Sequence, residues 1–363
     1  MHVSEIDTPA LVVDLDILER NLSRVAQYAK TRGLRLRPHT KTHKSTRIGR
    51  RQLDAGAAGL TVAKVSEAEV MLGATPSDLL VAYPIVGRPK LERLTAVARR
   101  TPVTVALDSE TAARDLSEAA QAAQVEIGVL AEVDVGLNRV GVSPGEPLLE
   151  LARAILRLPG LRFEGITCYP GHIKSTDEAG LAALARLGEV IGGILAEFER
   201  AGMPVKIVSG GSTPTLFHSH EVTGVTEIRP GTYVYNDINT VISGACGLED
   251  CAASILATVV STARPGQMIV DGGSKTFSSD RPATGEVTLG RVVEAPGARF
   301  HKMNEEHGFI DVTKAERAFG VGDRVHIIPN HICVAVNLHE QVYGVRGDSV
   351  EEVWKVEGRG KLQ

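Results

Sequence analysis

The 363-residue chain predicts an α/β protein: a (β/α)8 TIM-like barrel with a C-terminal all-β domain. Three observations lead there. Between about residues 16 and 235, short apolar runs alternate with stretches of helical periodicity. Eight such runs can be counted, which suits a closed barrel better than an open doubly wound sheet. After about residue 245 the pattern turns β-rich, with Pro/Gly turns such as Arg264-Pro265-Gly266 and Ala295-Pro296-Gly297 between the runs. A barrel of about 250 residues leaves enough chain for a second domain.

The elements follow in order. Leu11-Val12-Val13 has no helix before it, so residues 1–15 are expected to pair with the C-terminal sheet. Leu18, Leu22, Val25, Ala26 and Ala29 form the stripe of an amphipathic helix. The barrel strands are expected at 34–37, 59–63, 79–83, 103–107, 126–133, 162–168, 205–209 and 226–228, with helices at 66–72, 90–99, 109–123 and 178–201. Further strands are expected at 253–262, 268–270, 287–293, 324–328 and 342–345. The expected domains are therefore 16–244 and 245–363, the latter joined by 1–15.

Composition narrows the partners. Apolar residues make up 43% and charged residues 23%, with a formal net charge of −4, so nothing biases the surface toward nucleic acid or membrane. A small-molecule partner is the default. The first residues show no basic region leading into an apolar one, and no segment carries 18 uncharged apolar residues; a cytoplasmic location is expected. Cys168, Cys246, Cys251 and Cys333 lack CxxC spacing and are too sparse for a disulfide framework. No GxGxxG or GxxxxGK[ST] accompanies a strand, which removes the usual warrant for a dinucleotide or triphosphate site.

Lys41 lies just past the first expected barrel strand, in Arg37-Pro38-His39-Thr40-Lys41-Thr42-His43-Lys44. Barrel enzymes keep their chemistry at such strand ends, where a desolvated amine can form a Schiff base; a solvated basic turn is the plain alternative. Other motifs join it: Asp7-Thr8-Pro9-Ala10, Glu132-Val133-Asp134-Val135-Gly136 with Arg139, Ser209-Gly210-Gly211-Ser212-Thr213, Glu306-His307-Gly308 and Pro329-Asn330-His331-Ile332-Cys333. Together and in this order they resemble the D-threonine aldolase and D-serine dehydratase family, alanine-racemase-like enzymes of fold-type III that use pyridoxal 5'-phosphate (PLP). The resemblance runs over nearly the whole chain.

It implies that Lys41 carries PLP and acts as the Cα base, with His39 beside it. A phosphate wants convergent backbone N–H groups, which Ser209, Gly210, Gly211, Ser212 and Thr213 would supply after the seventh strand, joined by Gly231 and Thr232 after the eighth. Arg139 is implied at the phenolate oxygen of PLP, its alternative being a surface ion pair. Tyr169 would meet the pyridine ring, and His172, close behind, is a weaker catalytic candidate. His331 and Cys333, two apart on a strand-like run, would face the same way and offer imidazole and thiolate to a divalent metal. Zinc suits that pair best, with manganese or magnesium as alternatives. A buried Cys and a satisfied core His are the competing view.

His307 is read on a turn of the β domain, reaching as acid or base into a partner's site in a homodimer with shared active sites, or else simply exposed. The implied activity is that of a PLP- and metal-dependent lyase on D-β-hydroxy amino acids. Cys333, Thr42 and Leu80-Val81-Ala82-Tyr83-Pro84 lean toward D-serine dehydratase-like elimination, with D-threonine aldolase-like cleavage as the alternative. An amino-acid racemase or a non-catalytic PLP-binding protein is more distant.

Overall fold

A computed structural model describes residues 1–283, 285 and 287–363. In chain order, its first elements are β1 (Ala10–Asp14), α1 (Leu15–Thr31), β2 (Arg35–Leu36), α2 (Thr46–Asp54), β3 (Leu60–Val62), α3 (Val65–Met71), β4 (Leu79–Val81), α4 (Arg88–Ala98), β5 (Val103–Leu107) and α5 (Glu110–Ala123). Next come β6 (Ile127–Glu132), α6 (Glu146–Arg157), β7 (Leu161–Thr167), α7 (Glu178–Arg200), β8 (Ile207–Gly210), β9 (Glu227–Ile228) and α8 (Ile238–Ile242). The chain ends with β10 (Ala253–Ser261), β11 (Gln267–Val270), α9 (Ser274–Phe277), β12 (Arg291–Val292), β13 (Arg299–Met303), β14 (Gly308–Asp311), β15 (Arg324–Ile328), α10 (Ile332–Leu338), β16 (Gln341–Arg346) and β17 (Ser349–Lys355).

Two compact units emerge. One comprises Met1–Ser23, Thr42–Ser45 and Thr232–Gly360; the other comprises Arg24–Lys41, Thr46–Gly231 and Lys361–Gln363. The divisions thus fall inside α1 and at Lys41/Thr42, Ser45/Thr46, Gly231/Thr232 and Gly360/Lys361, where the sequence suggested boundaries after residues 15 and 244. Residues 232–252 are tied to the β unit by Ile238 N–H donating to the Pro329 carbonyl, Asn239 N–H to the Asn330 carbonyl and the Asn21 amide to the Asp250 carbonyl.

In the barrel unit eight parallel strands run in the order β2-β9-β8-β7-β6-β5-β4-β3. A parallel bridge between His39 and Thr61 joins the two ends. Strands buried on both faces need continuous apolar runs, and Leu60–Val62, Leu79–Val81 and Val103–Leu107 are buried throughout. Helices pack outside them: Leu148, Leu151, Ala152 and Ile155 of α6 and Leu184, Leu187, Ile191, Ile194 and Phe198 of α7 join the same core. Side-chain caps fix where helices start, Ser109 for α5 and Asp177 for α7, each accepting an N–H three residues on. By length and composition α7 alone, among the described residues, is apolar enough to cross a membrane. Its buried residues form one helical stripe within the barrel core, as a barrel helix requires.

The other unit is built on a nine-stranded sheet. β1 lies inside it, antiparallel to β10 and parallel to β16. Strands β13, β14 and β17 had no counterpart in the sequence reading, and the run at 287–293 shortens to β12.

Candidate active site

Lys41 is exposed at the rim of the barrel, its backbone N–H donating to His39 Nδ1 at 3.3 Å. His39 is itself fixed, since its N–H donates to the Pro230 carbonyl at 3.0 Å. Two strands along the sheet, the end of β8 forms a glycine turn. Gly211 has φ +79°, and a Cβ there would lie 3.3 Å from both Ile228 Cγ2 and Ser219 Oγ, so the turn is shaped for glycine. The N–H groups of Gly211, Ser212 and Gly231 donate to nothing among the described residues. Buried or half-buried N–H groups without acceptors are uncommon, and three of them in one barrel mouth fit an oxyanion such as the PLP phosphate. The Ser212 hydroxyl is 3.2 Å from that of Thr215; Ser209 and Thr213 are buried.

Below this turn runs a charged network that the sequence reading missed. Arg229, buried, donates to the Thr167 hydroxyl, to Ser209 Oγ at 2.8 Å and to the Cys168 carbonyl at 3.2 Å. Ser209 Oγ in turn donates to Glu227 Oε1 at 2.6 Å, and Glu227 Oε2 lies 2.9 Å from Arg37 Nε. Arg37 also pairs with Asp78 at 2.7 Å. The sequence signal was Arg229 directly before Pro230-Gly231-Thr232, of which only Gly231 and Thr232 entered the expected phosphate site. Burial pushes the Glu132 carboxyl above its usual range, against the pull of Arg229 and Arg139. It also pushes the Cys168 thiol up to about 11, so Cys168 is a protonated core group rather than a nucleophile.

Arg139 and Tyr169 meet after β6 and β7. The guanidinium lies 4.8 Å from the centroid of the tyrosine ring. Its loop is held by Asp134, which accepts from the N–H groups of Gly136, Leu137 and Asn138. Exposed His172 packs over Gly136, where a Cβ would lie 3.3 Å from its Cε1.

His331 and Cys333 belong to the β unit, but not to a strand. His331 is the N-cap of α10 and Cys333 lies in its first turn. The expected strand alternation is therefore replaced by helix-start geometry. The local cause is Asp237, fully buried, whose Oδ2 accepts both from Ile332 N–H at 3.0 Å and from His331 Nδ1 at 3.1 Å. A carboxylate only accepts, so Nδ1 carries a proton and Nε2 is the nitrogen left for a ligand. Burial alone would lower the His331 imidazolium, but Asp237 and Cys333 outweigh it and raise it to about 11, so a metal binding at Nε2 would displace a proton there. Cys333 Sγ lies 3.2 Å from the Thr42 hydroxyl and 3.8 Å from that of Thr232. Thr232 thus stands beside this sulfur, in the β unit, while Gly231 belongs to the barrel unit.

One imidazole and one thiol, the imidazole held by a buried carboxylate, are a donor set suited to zinc, with coordination positions to spare. Among the described residues no group of three or more His, Cys, Asp or Glu forms a fuller cage. His307 is exposed on the turn between β13 and β14, closed by Asn304 N–H to the His307 carbonyl. With Arg264, His301, Lys302 and Phe309 it lines a cleft of about 520 Å³ in the β unit.

Residues 13–238 match the family described as alanine racemase, N-terminal domain, and residues 252–345 the putative serine dehydratase domain. A 3-hydroxy-D-aspartate aldolase of Paracoccus denitrificans is 34% identical over 99% of this chain and 94% of its own. A D-threo-3-hydroxyaspartate dehydratase of Delftia sp. is 34% identical over 96% of this chain and 97% of its own; a D-threo-3-hydroxyaspartate dehydratase variant has been solved in a metal-free form. The crystal structure of D-threonine aldolase from Filomicrobium marinum superposes with a TM-score of 0.93 at 35% identity, covering 99% of this chain and 97% of that one. The chain belongs to the alanine-racemase-like, fold-type III family of PLP enzymes that holds the D-threonine aldolases and D-serine dehydratases.

Proposed function

We propose that the protein is a PLP- and zinc-dependent lyase of D-β-hydroxy amino acids that eliminates the β-hydroxyl to give a 2-oxo acid and ammonia. The observation that carries the elimination reading is the His331–Cys333 pair, because a thiolate donor favours zinc over the harder manganese or magnesium. Bound PLP supplies an electron sink at Cα, and bound zinc supplies positive charge at the β-hydroxyl. Lys41 is the attachment point for PLP and the base that takes the Cα proton, with His39 anchoring its backbone. The N–H groups of Gly211, Ser212 and Gly231, with Ser209, Gly210, Thr213 and Thr232, hold the phosphate.

Arg139, always cationic, holds the phenolate oxygen anionic, and Tyr169 lies against the ring. His331 Nε2 and Cys333 Sγ hold the zinc. In a homodimer, His307 serves the partner's site as acid or base, and His172 is a rim residue of lesser weight. A cytoplasmic location is consistent with such a role in D-amino acid metabolism.

Retro-aldol cleavage is the second reading, favoured by the close match to the aldolase of Filomicrobium marinum. There a base takes the hydroxyl proton and the Cα–Cβ bond breaks, leaving glycine and an aldehyde. Incubation with D-serine and D-threonine, PLP and zinc or manganese separates them: pyruvate and 2-oxobutyrate mean elimination, glycine and acetaldehyde mean cleavage. Turnover untouched by chelator would remove the metal assignment. A visible cofactor absorption band surviving in Lys41→Ala would remove Lys41.

A further inference from the structure

The four residues that follow Lys41, Thr42 to Ser45, are all buried. Lys44 among them has φ +49°, a left-handed conformation that a lysine keeps only where its surroundings hold it. Gly358 supplies that hold. Its N–H donates to the Lys44 carbonyl at 2.8 Å, and the Lys44 ammonium donates back to the Gly358 carbonyl at 3.4 Å. A Cβ at Gly358 would lie 2.9 Å from Lys44 Cβ and 3.1 Å from its carbonyl oxygen, so only glycine lets the two backbones come this close. The second lysine of the motif thus points at a backbone carbonyl, and its task is mechanical.

The turn that carries Gly358 is fastened to the far end of α10. Val356 N–H donates to the Glu340 carbonyl at 2.8 Å, Gly360 N–H to Asn337 Oδ1 at 3.5 Å, and Arg359 Nη1 lies 3.0 Å from Glu340 Oε1. At the near end of α10, Cys333 Sγ lies 3.2 Å from the Thr42 hydroxyl, with that of Thr232 farther off at 3.8 Å. The contacts therefore close a circuit: Thr42 to Cys333, along α10 to Asn337 and Glu340, across residues 356–360 to Gly358, and back through Lys44 to Thr42. In a closed circuit no member moves alone, so a displacement at Gly358 reaches Thr42. A thiolate only accepts, so once Cys333 is deprotonated the Thr42 hydroxyl is the donor that supports it.

We propose that Gly358 and Lys44 are positioning residues that hold the Thr42 hydroxyl on the Cys333 sulfur. The inference rests on the reading of His331 and Cys333 as zinc ligands and extends it to a turn outside every site motif. Losing a supporting partner of a ligand typically costs about 10- to 100-fold in metal affinity.

The test is a zinc competition titration of the full-length wild type, Gly358→Ala, Thr42→Val and the two combined. Each single variant is expected to weaken zinc roughly 10-fold or more, and the combination no further than the weaker single, because both remove the same contact. Additive losses, or unchanged affinity in Gly358→Ala, would overturn the proposal. Adding Lys44→Gly to Gly358→Ala removes the Cβ that the new methyl meets and suits φ +49°; recovered affinity supports the brace and no recovery sinks it. Should Gly358→Ala not fold, Lys44→Met, which removes only the ammonium's bond to Gly358, is read in the same way. Iodoacetamide labelling of the metal-free protein, followed peptide by peptide, reads the contact without zinc: faster labelling at Cys333 in Gly358→Ala, with Cys246 unchanged, is expected, and an equal rate at Cys333 refutes it. If the wild type binds no zinc, the metal reading fails, while the labelling still decides the brace.

Discussion

Asp237→Asn isolates the part of the proposed metal site that no sequence motif marked. One carboxylate does three things: Oδ1 caps α8 by accepting Thr240 N–H at 2.8 Å, and Oδ2 accepts from Ile332 N–H and from His331 Nδ1. Asparagine caps as well as aspartate, so the amide oxygen can keep the first contact. Its NH2 then faces two donors. His331 can meet that NH2 only by turning Nδ1 into an acceptor, which moves its proton to Nε2, the nitrogen meant for the metal. Losing such a supporting partner typically costs 10- to 100-fold in metal affinity, or about 1.4–2.7 kcal/mol. Ile332 N–H, buried and stripped of its acceptor, adds about 1–3 kcal/mol of destabilisation to the start of α10. Competition for zinc against a chromophoric chelator measures the first quantity, with His331→Ala as the lower limit. Zinc affinity in Asp237→Asn indistinguishable from wild type would refute the whole chain of reasoning, from the tautomer to the ligand assignment.

Other predictions follow from single contacts. Gly211→Ala forces a side chain into left-handed backbone at φ +79°, a cost of about 1–2 kcal/mol, so PLP titration should show weaker binding; equal affinity would remove this turn from the phosphate site. Glu227→Leu leaves buried Arg37 with Asp78 alone and strips the acceptor from Ser209, and breaking a buried pair costs about 3–5 kcal/mol; an unchanged urea midpoint would contradict it. Burial would raise the Asp134 carboxyl, but the N–H groups of Gly136, Asn138 and Leu137 outweigh it and hold it below the usual range. A depressed folded pKa stabilises above the unfolded value of about 3.9 and is lost as pH falls through the lowered one. Amide exchange in residues 136–138 should therefore speed up in acid, after correction for intrinsic rates, and at neutral pH in Asp134→Asn; equal protection throughout would refute the turn's dependence on this charge.

The barrel was legible because its strands are buried on both faces and so carry uninterrupted apolar runs: Leu79–Val81 and Val103–Leu107 cannot be read as much else. Strands β13, β14 and β17 escaped because one face of each is exposed or half-buried; β17 largely alternates exposed and half-buried positions and carries Glu351 and Glu352, so its local apolar signal is weak. His331-Ile332-Cys333 was misread for a related reason. An apolar run of Ile332, Val334, Ala335 and Val336 fits strand or helix alike over so short a length, and the decision falls to Asp237, which captures the Ile332 N–H and opens a helix there.

The same gap separates motif from mechanism at the barrel mouth. Glycine turns and a lysine after a strand are visible in one dimension, because the backbone geometry they serve is local. Arg229, Glu227 and Asp78 meet only after eight strands have closed, and each looks like an ordinary charged residue until then. Lys64 and Tyr83 are a further case: 19 positions apart in the chain, they meet, the ammonium 3.7 Å from the ring centroid, only because β3 and β4 are paired. Local motifs thus carry the backbone turns, whereas the charged contacts around them are set by register. It follows that variants keeping every motif around Lys41 can still lose the network of Arg37, Asp78, Glu227 and Arg229, because no one of those motifs encodes it.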